Sequence, residues 1–207
     1  MKKNYFFKFL LFLIPVSAFI LMSSAGGQEA GLSGSPGDGG TTCTQCHSAG
    51  GSFGASVAIT TNIPSSGYDL NTEYDITVTA NSSATKHGFQ ITAEKVSDNG
   101  KVGTFIADAN AKTKIFSSGN YLTHTIASTS LNENSWTFKW KSPATDESQV
   151  KFYASAVAAN ANSSTSGDEV VTTNTSVGSL SIKEANRLDF SMYPNPSSEE
   201  MVTIQLP

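Results

Sequence analysis

Residues 135–141 read Ser-Trp-Thr-Phe-Lys-Trp-Lys, and this stretch decides the fold class. Trp136, Phe138 and Trp140 alternate with polar residues, which is the period-2 pattern of a half-buried strand. Three large aromatic side chains on one face also contribute a large apolar area to a core. The stretch therefore predicts a β-strand with one face packed inside the protein.

The chain on both sides of this stretch consists of short β-branched and aromatic runs separated by turn residues. The predicted strands cover residues 56–61, 74–80, 87–96, 102–107, 121–127, 135–141, 150–159 and 169–182. Asp98-Asn99-Gly100 predicts a turn, after which residues 102–107 begin the return strand beside 87–96. About eight short strands without an amphipathic helix predict an all-β, antiparallel β-sandwich.

The N-terminus has the pattern of an export signal. Lys2 and Lys3 precede an almost wholly apolar stretch at residues 5–22, and small residues follow at 23–26. Lys8 and Pro15 interrupt that stretch, which favours a signal peptide at residues 1–25, removed by signal peptidase. A permanent anchor is the alternative, because about 18 apolar residues could span a bilayer. The protein is predicted to be exported through the periplasm to the cell surface or the extracellular space.

Charge argues against a nucleic-acid partner. The chain has 13 basic and 17 acidic residues. Removing the leader, with its three lysines and no acidic residue, leaves 10 basic against 17 acidic residues. A nucleic-acid surface needs clustered Lys and Arg, and Arg187 is the only arginine in the chain. The abundance of Thr, Ser, Val, Ile, Gly and Asn is typical of an exported β-protein.

The chemistry of the chain is concentrated in the Gly- and Ser-rich segment 26–55, which contains Cys43-Thr44-Gln45-Cys46-His47. C-x-x-C-H is a haem-attachment pattern. The two thiols add to the haem vinyl groups as thioethers, and the adjacent histidine binds the iron on one axial side. Cys43 and Cys46 are the only cysteines, and the Gly-rich flanks supply the flexible loop that attachment needs. The sequence predicts one covalent haem c, with His47 as an iron ligand.

The second axial ligand is predicted to be a histidine. All four methionines lie outside the predicted sandwich, two in the leader and two in the tail. His124 is favoured because it lies in a predicted strand between Leu122 and Ile126, on the apolar face, although a histidine there is more often a hydrogen-bonded core residue. His87, at a strand start and in a more exposed setting, is the alternative. An iron with no second protein ligand also stays open.

A disulfide between Cys43 and Cys46 is the alternative to haem. A thioredoxin-like site would lie near a βαβ unit, which the pattern lacks, and the motif has too few ligands for structural zinc. No acid–base or nucleophile constellation accompanies the motif, so no enzymatic activity is predicted. Two functions remain open: a haem protein for electron transfer or redox sensing, and a surface adhesion or recognition module stapled by a disulfide.

Several stretches, in order, resemble one family. Residues 34–40, Gly-Ser-Pro-Gly-Asp-Gly-Gly, lead into the C-x-x-C-H motif as at the start of the Reeler-like domains called choice-of-anchor V in bacteria. The resemblance continues in residues 87–91, 121–125, 136–140, 150–162 and 166–168. It covers residues 34–182 and implies an immunoglobulin-like β-sandwich. It also implies His124, at the family's Tyr-x-x-His position, as the distal ligand in preference to His87.

The tail has a different character. Residues 190–196, Phe-Ser-Met-Tyr-Pro-Asn-Pro, resemble the opening of a type IX secretion C-terminal sorting domain of Bacteroidota, and alternation at 202–206 predicts a new strand. This resemblance implies the type IX secretion machinery as a partner, and a chain that is a fragment or a truncated product. The predicted organisation is a signal peptide at 1–25, a haem-attachment loop at 26–55, a sandwich at 56–184, and a linker with a truncated sorting domain at 185–207. The sequence does not identify the redox partner or surface component.

Overall fold

The computed structural model describes residues 26–180 and two short strands further along the chain. The predicted signal peptide and most of the predicted sorting domain lie outside the described residues. The strands are β1 (Ser48–Ala49), β2 (Ser56–Thr61), β3 (Glu73–Ser82), β4 (Lys86–Lys95), β5 (Thr104–Ile106), β6 (Thr113–Phe116), β7 (Tyr121–His124), β8 (Asn132–Lys141), β9 (Gln149–Ala159), β10 (Ser166–Gly178), β11 (Ser191–Tyr193) and β12 (Thr203–Gln205). Within this part of the chain, no helix has the length and apolar character that crossing a membrane requires.

The strands of residues 26–180 form two sheets. A four-stranded sheet has the order β2-β3-β8-β5, and a six-stranded sheet has the order β1-β10-β9-β4-β7-β6. The pairings are antiparallel, except that β1 lies parallel to β10. This arrangement confirms the predicted all-β sandwich. In the tail, β11 and β12 pair antiparallel, and β12 lies where the alternation of residues 202–206 predicts a strand.

The core lies between the sheets and contains the aromatic residues of β8. Trp136, Phe138 and Trp140 are buried there, as the alternation predicts. The Phe89 ring of β4 lies 4.5 Å from the Trp136 ring, so the two sheets contact through aromatic side chains. Each such side chain stabilises the fold by roughly 2 kcal/mol when it leaves water. The remaining core is drawn from both sheets: Tyr68, Tyr74, Ile76, Val78, Ala80, Ile91, Ala93, Val102, Phe105, Leu122, Val150, Phe152, Ala154 and Ala156.

The prediction that residues 102–107 return beside β4 is wrong beyond the first pair. Lys101 forms a bridge with Glu94, and the Val102 amide donates to the Ala93 carbonyl at 3.1 Å. The chain then crosses to the other sheet, where β5 pairs with β8. The crossing occurs at Gly103, which has φ +66° and leaves no room for a Cβ beside the Trp140 ring. A residue without a side chain is required there.

The predicted strand 121–127 is also shorter in the structure, because β7 ends at His124. Leu122 is buried in the core as predicted, whereas Ile126 is 52% exposed. Beyond β7, the Thr125 amide donates to the Lys112 carbonyl at 2.7 Å, and the chain pairs with β4 again at Ser128, which exchanges two hydrogen bonds with His87. The predicted apolar face of this strand therefore does not extend to Ile126. His124 is the last residue of β7.

Candidate functional site

Residues 26–55 lie against the outer face of the six-stranded sheet, where buried polar side chains hold them. The Gln90 side-chain oxygen accepts a hydrogen bond from the Leu32 backbone amide at 2.5 Å, and its Nε2 donates one to the Gln28 carbonyl at 3.0 Å. The Ser155 hydroxyl accepts the Cys43 amide at 3.4 Å. These contacts explain why both faces of β4 are buried. The segment predicted to be flexible is fixed to the sheet over much of its length.

The glycine-rich turn before the motif is held by a buried charge network, here called the clamp, which consists of Asp38, Glu94, Lys101 and Tyr121. The Lys101 ammonium lies 2.6 Å from Glu94 and 3.0 Å from Asp38, and the Tyr121 hydroxyl donates to Asp38 at 2.5 Å. Burial raises the pKa of the Asp38 carboxyl, but hydrogen bonds from Tyr121 and Lys101 outweigh it and lower that pKa overall. The sequence did not predict a role for Glu94, Lys101 or Tyr121, because these residues lie in separate segments of the chain and no local pattern connects them.

The C-x-x-C-H motif forms one helical turn. The amides of Cys46 and His47 both donate to the Cys43 carbonyl, at 3.2 and 2.9 Å. Both thiols and the imidazole are therefore carried by this single turn. Cys43 is buried against Leu32 and Val157, and burial raises the pKa of its thiol. Cys46 is exposed, and neither cysteine is in a disulfide.

The His47 imidazole is oriented by a carboxylate from β10, the strand that pairs with β1 directly after the motif. Its Nδ1 lies 2.6 Å from Oδ2 of Asp168, whose side chain is 1% exposed. An ionised carboxylate only accepts hydrogen bonds, so Nδ1 carries the proton and donates. Within the described part of the chain the Nε2 atom makes no hydrogen bond, so its lone pair is free to bind a metal ion.

The His124 imidazole is also anchored through Nδ1. That atom lies 3.1 Å from both the amide nitrogen and the carbonyl oxygen of Phe89, so the Phe89 backbone holds it in either tautomer. Among the described residues the Nε2 atom has no hydrogen-bond partner, and it lies over Gly88, where a Cβ would be only 2.7 Å away. Burial lowers the pKa of the His124 imidazole, the Phe89 carbonyl opposes this, and charges on Lys114 and His47 lower the pKa further.

His87 has a different environment from the one predicted. The prediction that His87 lies in a more exposed setting is wrong, because the residue is 1% exposed. Its Nδ1 accepts a hydrogen bond from the Asn134 amide at 2.8 Å, and its Nε2 donates to the Ser82 hydroxyl at 2.5 Å. The Asn134 amide is held in that orientation by the Ser130 carbonyl at 3.2 Å. Both nitrogens of His87 are therefore used within the fold.

Because His87 is buried in its neutral form, we expect the haem-free protein to lose stability in weak acid. Burial lowers the pKa of the His87 imidazole. Below about pH 6.5 the unfolded chain therefore binds a proton that the folded protein does not, and the free energy of unfolding falls by about 1.4 kcal/mol per pH unit for this residue. Urea unfolding between about pH 7.5 and pH 5.5 measures the slope. The His87→Gln variant should show a shallower slope, and equal slopes in the two proteins would contradict this assignment.

Comparison with known proteins is consistent with this architecture. The family model of the Reeler domain matches residues 43–166, which is more than half of the chain. Among solved structures, the human F-spondin reeler domain is similar with 15% identity and a TM-score of 0.45, over 64% of this chain and 96% of that chain. The bacterial hydrophobin BslA is similar with 15% identity and a TM-score of 0.36, over 64% and 100% of the two chains. No curated protein matches the chain.

Proposed function

The chain belongs to the Reeler domain family, and from this premise we propose that it is an exported Reeler module that carries one covalent haem c for electron transfer or redox sensing outside the cell. Reeler domains are extracellular structural or adhesion modules and not enzymes, so the proposed haem serves a carrier or sensor and not a catalyst. The C-x-x-C-H motif is the sequence feature that supports a covalent haem in this chain.

One observation carries the proposal: the imidazoles of His47 and His124 are both anchored through Nδ1, and neither Nε2 has a hydrogen-bond partner among the described residues. Histidines that bind a metal through one nitrogen almost always engage the other with a carboxylate, a backbone carbonyl or water. Asp168 provides the carboxylate for His47, and the Phe89 backbone provides the partner for His124. His87 lacks this feature, because both of its nitrogens are already bonded.

The residues present fit a haem c. Cys43 and Cys46 lie three apart on one helical turn and would hold the group through thioethers, and the apolar side chains of Leu32 and Val157 border Cys43. His47 and His124 would bind the iron from opposite sides. A bound haem supplies a one-electron Fe(III)/Fe(II) couple, whose potential is lower with two histidines than with a methionine ligand. The acidic balance of the chain favours a basic redox partner.

The route out of the cell is part of the same proposal. The leader at residues 1–25 directs export with cleavage by signal peptidase, and residues 190–196 direct the protein to the type IX secretion machinery. The expected location is the cell surface or the extracellular space. A covalent haem fits this location, because attachment takes place after export.

The experiment that tests the haem is a pyridine haemochrome spectrum of acid-acetone-extracted protein, produced in a host that matures c-type cytochromes. We expect a c-type band that survives extraction, at one haem per chain. Absence of that band from folded, exported protein overturns the proposal. Thiol titration of the same sample supplies an independent reading, since thioethers release no thiols on reduction.

The assignment of the second ligand has its own test. We expect His124→Ala to keep the covalent haem but to convert the iron from six-coordinate low-spin to high-spin, because Nε2 of His124 is lost. His87→Gln should keep the low-spin spectrum, since its nitrogens bond to Ser82 and Asn134. Ultraviolet–visible and electron paramagnetic resonance spectra of both variants distinguish them. A high-spin His87→Gln protein beside a low-spin His124→Ala protein would reverse the assignment.

A surface recognition module is the second candidate function, and family membership favours it. In this case Cys43 and Cys46 would form a local disulfide in an oxidising compartment, and the loops of the sandwich would contact the partner. Two thiols would then appear when the purified protein is reduced, and no haem band would be present. The two measurements together therefore separate the two functions.

A further inference from the structure

We propose that Asp168 is the positioning residue that fixes the tautomer of His47 and sets the strength with which its Nε2 donates to iron. This inference rests on the proposed haem function and extends it to a residue at the start of β10. Asp168 lies 121 positions after His47 in the chain, with its Oδ2 2.6 Å from Nδ1 of His47. The N–H···O contact is short, as expected for a charge-assisted hydrogen bond.

The environment of Asp168 indicates a dedicated contact. The residue is 1% exposed, and within the described part of the chain its only ion-pair partner is His47. Its other oxygen, Oδ1, accepts a hydrogen bond from the backbone amide of Asn160 at 3.1 Å. A buried carboxylate is costly unless hydrogen bonds or a partner compensate for lost water. Among the described residues no lysine or arginine pairs with the Asp168 carboxylate, so Asp168 depends on the Asn160 backbone amide and the His47 imidazole.

The backbone around Asp168 is rigid enough to aim the carboxylate. The Asn160 side chain donates to the carbonyls of Ser166 and Gly167, at 3.1 and 3.2 Å, which closes the loop between β9 and β10. Gly167 completes this loop with φ +75°. The Asp168 carbonyl in turn accepts the Gly51 amide at 3.2 Å, just beyond β1. One residue therefore fixes both the imidazole of the motif and the chain that follows it.

The chemical consequence follows from the direction of the hydrogen bond. A carboxylate that accepts a hydrogen bond from the Nδ1–H group makes the imidazole more basic at Nε2. Stronger donation stabilises the ferric state relative to the ferrous state, and the reduction potential falls. In Asp168→Asn a neutral amide replaces the carboxylate at nearly the same size. We expect the potential of that variant to shift in the positive direction.

Glu169→Gln is the matched control, because it removes the same charge one residue along the strand. The Glu169 carboxylate accepts the amides of Phe53 and Ala55, at 2.5 and 3.3 Å, and does not bond to His47. We expect the wild type and both variants to carry one haem c per chain by pyridine haemochrome. Potentiometric titration should show a positive shift for Asp168→Asn and a much smaller one for Glu169→Gln.

A second measurement tests the tautomer of His47 in the absence of haem. Long-range ¹H–¹⁵N correlation spectra report which ring nitrogen of a neutral imidazole carries the proton. In protein made without haem maturation, His47 should be protonated at Nδ1 in the wild type. Asp168→Asn should move His47 towards the Nε2–H tautomer, and Glu169→Gln should not.

The outcomes separate this inference from the function on which it rests. No haem band in the wild type overturns both. A haem band in all three proteins with equal potentials for wild type and Asp168→Asn, or equal shifts in both variants, overturns only the role of Asp168. If Asp168→Asn alone fails to retain haem, the spectra decide: a changed His47 tautomer supports the inference, and an unchanged one overturns it.

Discussion

The Cys43→Ser/Cys46→Ser variant will carry no haem that survives acid-acetone extraction, whereas the wild type will carry one per chain. This is the largest effect we expect, because each proposed thioether bond would be made by one of these two sulfurs and the chain has no other cysteine. Serine keeps the size of each side chain but cannot form the bond. The pyridine haemochrome spectrum and the intact mass of the purified protein both measure the loss.

Gln45→Ala is the matched control for this pair. Gln45 lies on the same helical turn, between the two cysteines, and its side chain is exposed and makes no hydrogen bond. The variant keeps Cys43, Cys46 and His47, so we expect a full complement of covalent haem. If the double serine variant retained a haem band that survives acid-acetone extraction, Cys43 and Cys46 would not be the residues that attach the haem.

The strands were predictable because their signal is local. Trp136, Phe138 and Trp140 alternate within a few residues, and the burial of this face follows directly from the pattern. Pairing was harder, because it depends on contacts distant in the sequence. The crossing of β5 to the other sheet is decided by the fit of Gly103 against Trp140, which no local pattern contains.

The outer face of the six-stranded sheet shows a second limit. Gln90, Glu94 and Ser155 are polar residues that alternate with core residues, which is the pattern of a solvent-exposed face. All three are buried, because residues 26–55 cover them and provide their hydrogen-bond partners. Alternation distinguishes polar from apolar positions, but it does not show whether water or another segment of the chain lies over the polar ones.

For the candidate site, the motif indicated Cys43, Cys46 and His47, and the resemblance favoured His124 over His87. The partners that orient the two imidazoles could not be predicted in the same way. The Phe89 contact to His124 is made by backbone atoms, which have no sequence signature. Asp168 was part of the resemblance, but its contact with His47 joins residues 121 positions apart.

We expect Lys101→Met to destabilise the protein by about 3–5 kcal/mol, since it leaves the buried Glu94 carboxylate and the half-buried Asp38 carboxylate without their cation. The Lys101 ammonium lies 2.6 Å from Glu94, which is 1% exposed, and 3.0 Å from Asp38. Burial lowers the pKa of Lys101, but its hydrogen bonds with Glu94 and Asp38 outweigh this and raise the pKa, so the lysine is charged. Chemical unfolding of the wild type and the variant measures the difference.

Lys139→Met is the control, because it removes a lysine from an ion pair that faces solvent. Lys139 lies 3.2 Å from Asp75, and both side chains are about half exposed, so the expected loss is within about 1 kcal/mol. Glu94→Gln/Lys101→Met should recover part of the stability lost in Lys101→Met, because the buried charge of Glu94 is removed with its partner. Equal losses in the two single lysine variants would show that the clamp does not hold the glycine-rich turn through charge. A selective loss at Lys101 would show that the fold uses a buried ion network to keep the segment before Cys43 against the sheet.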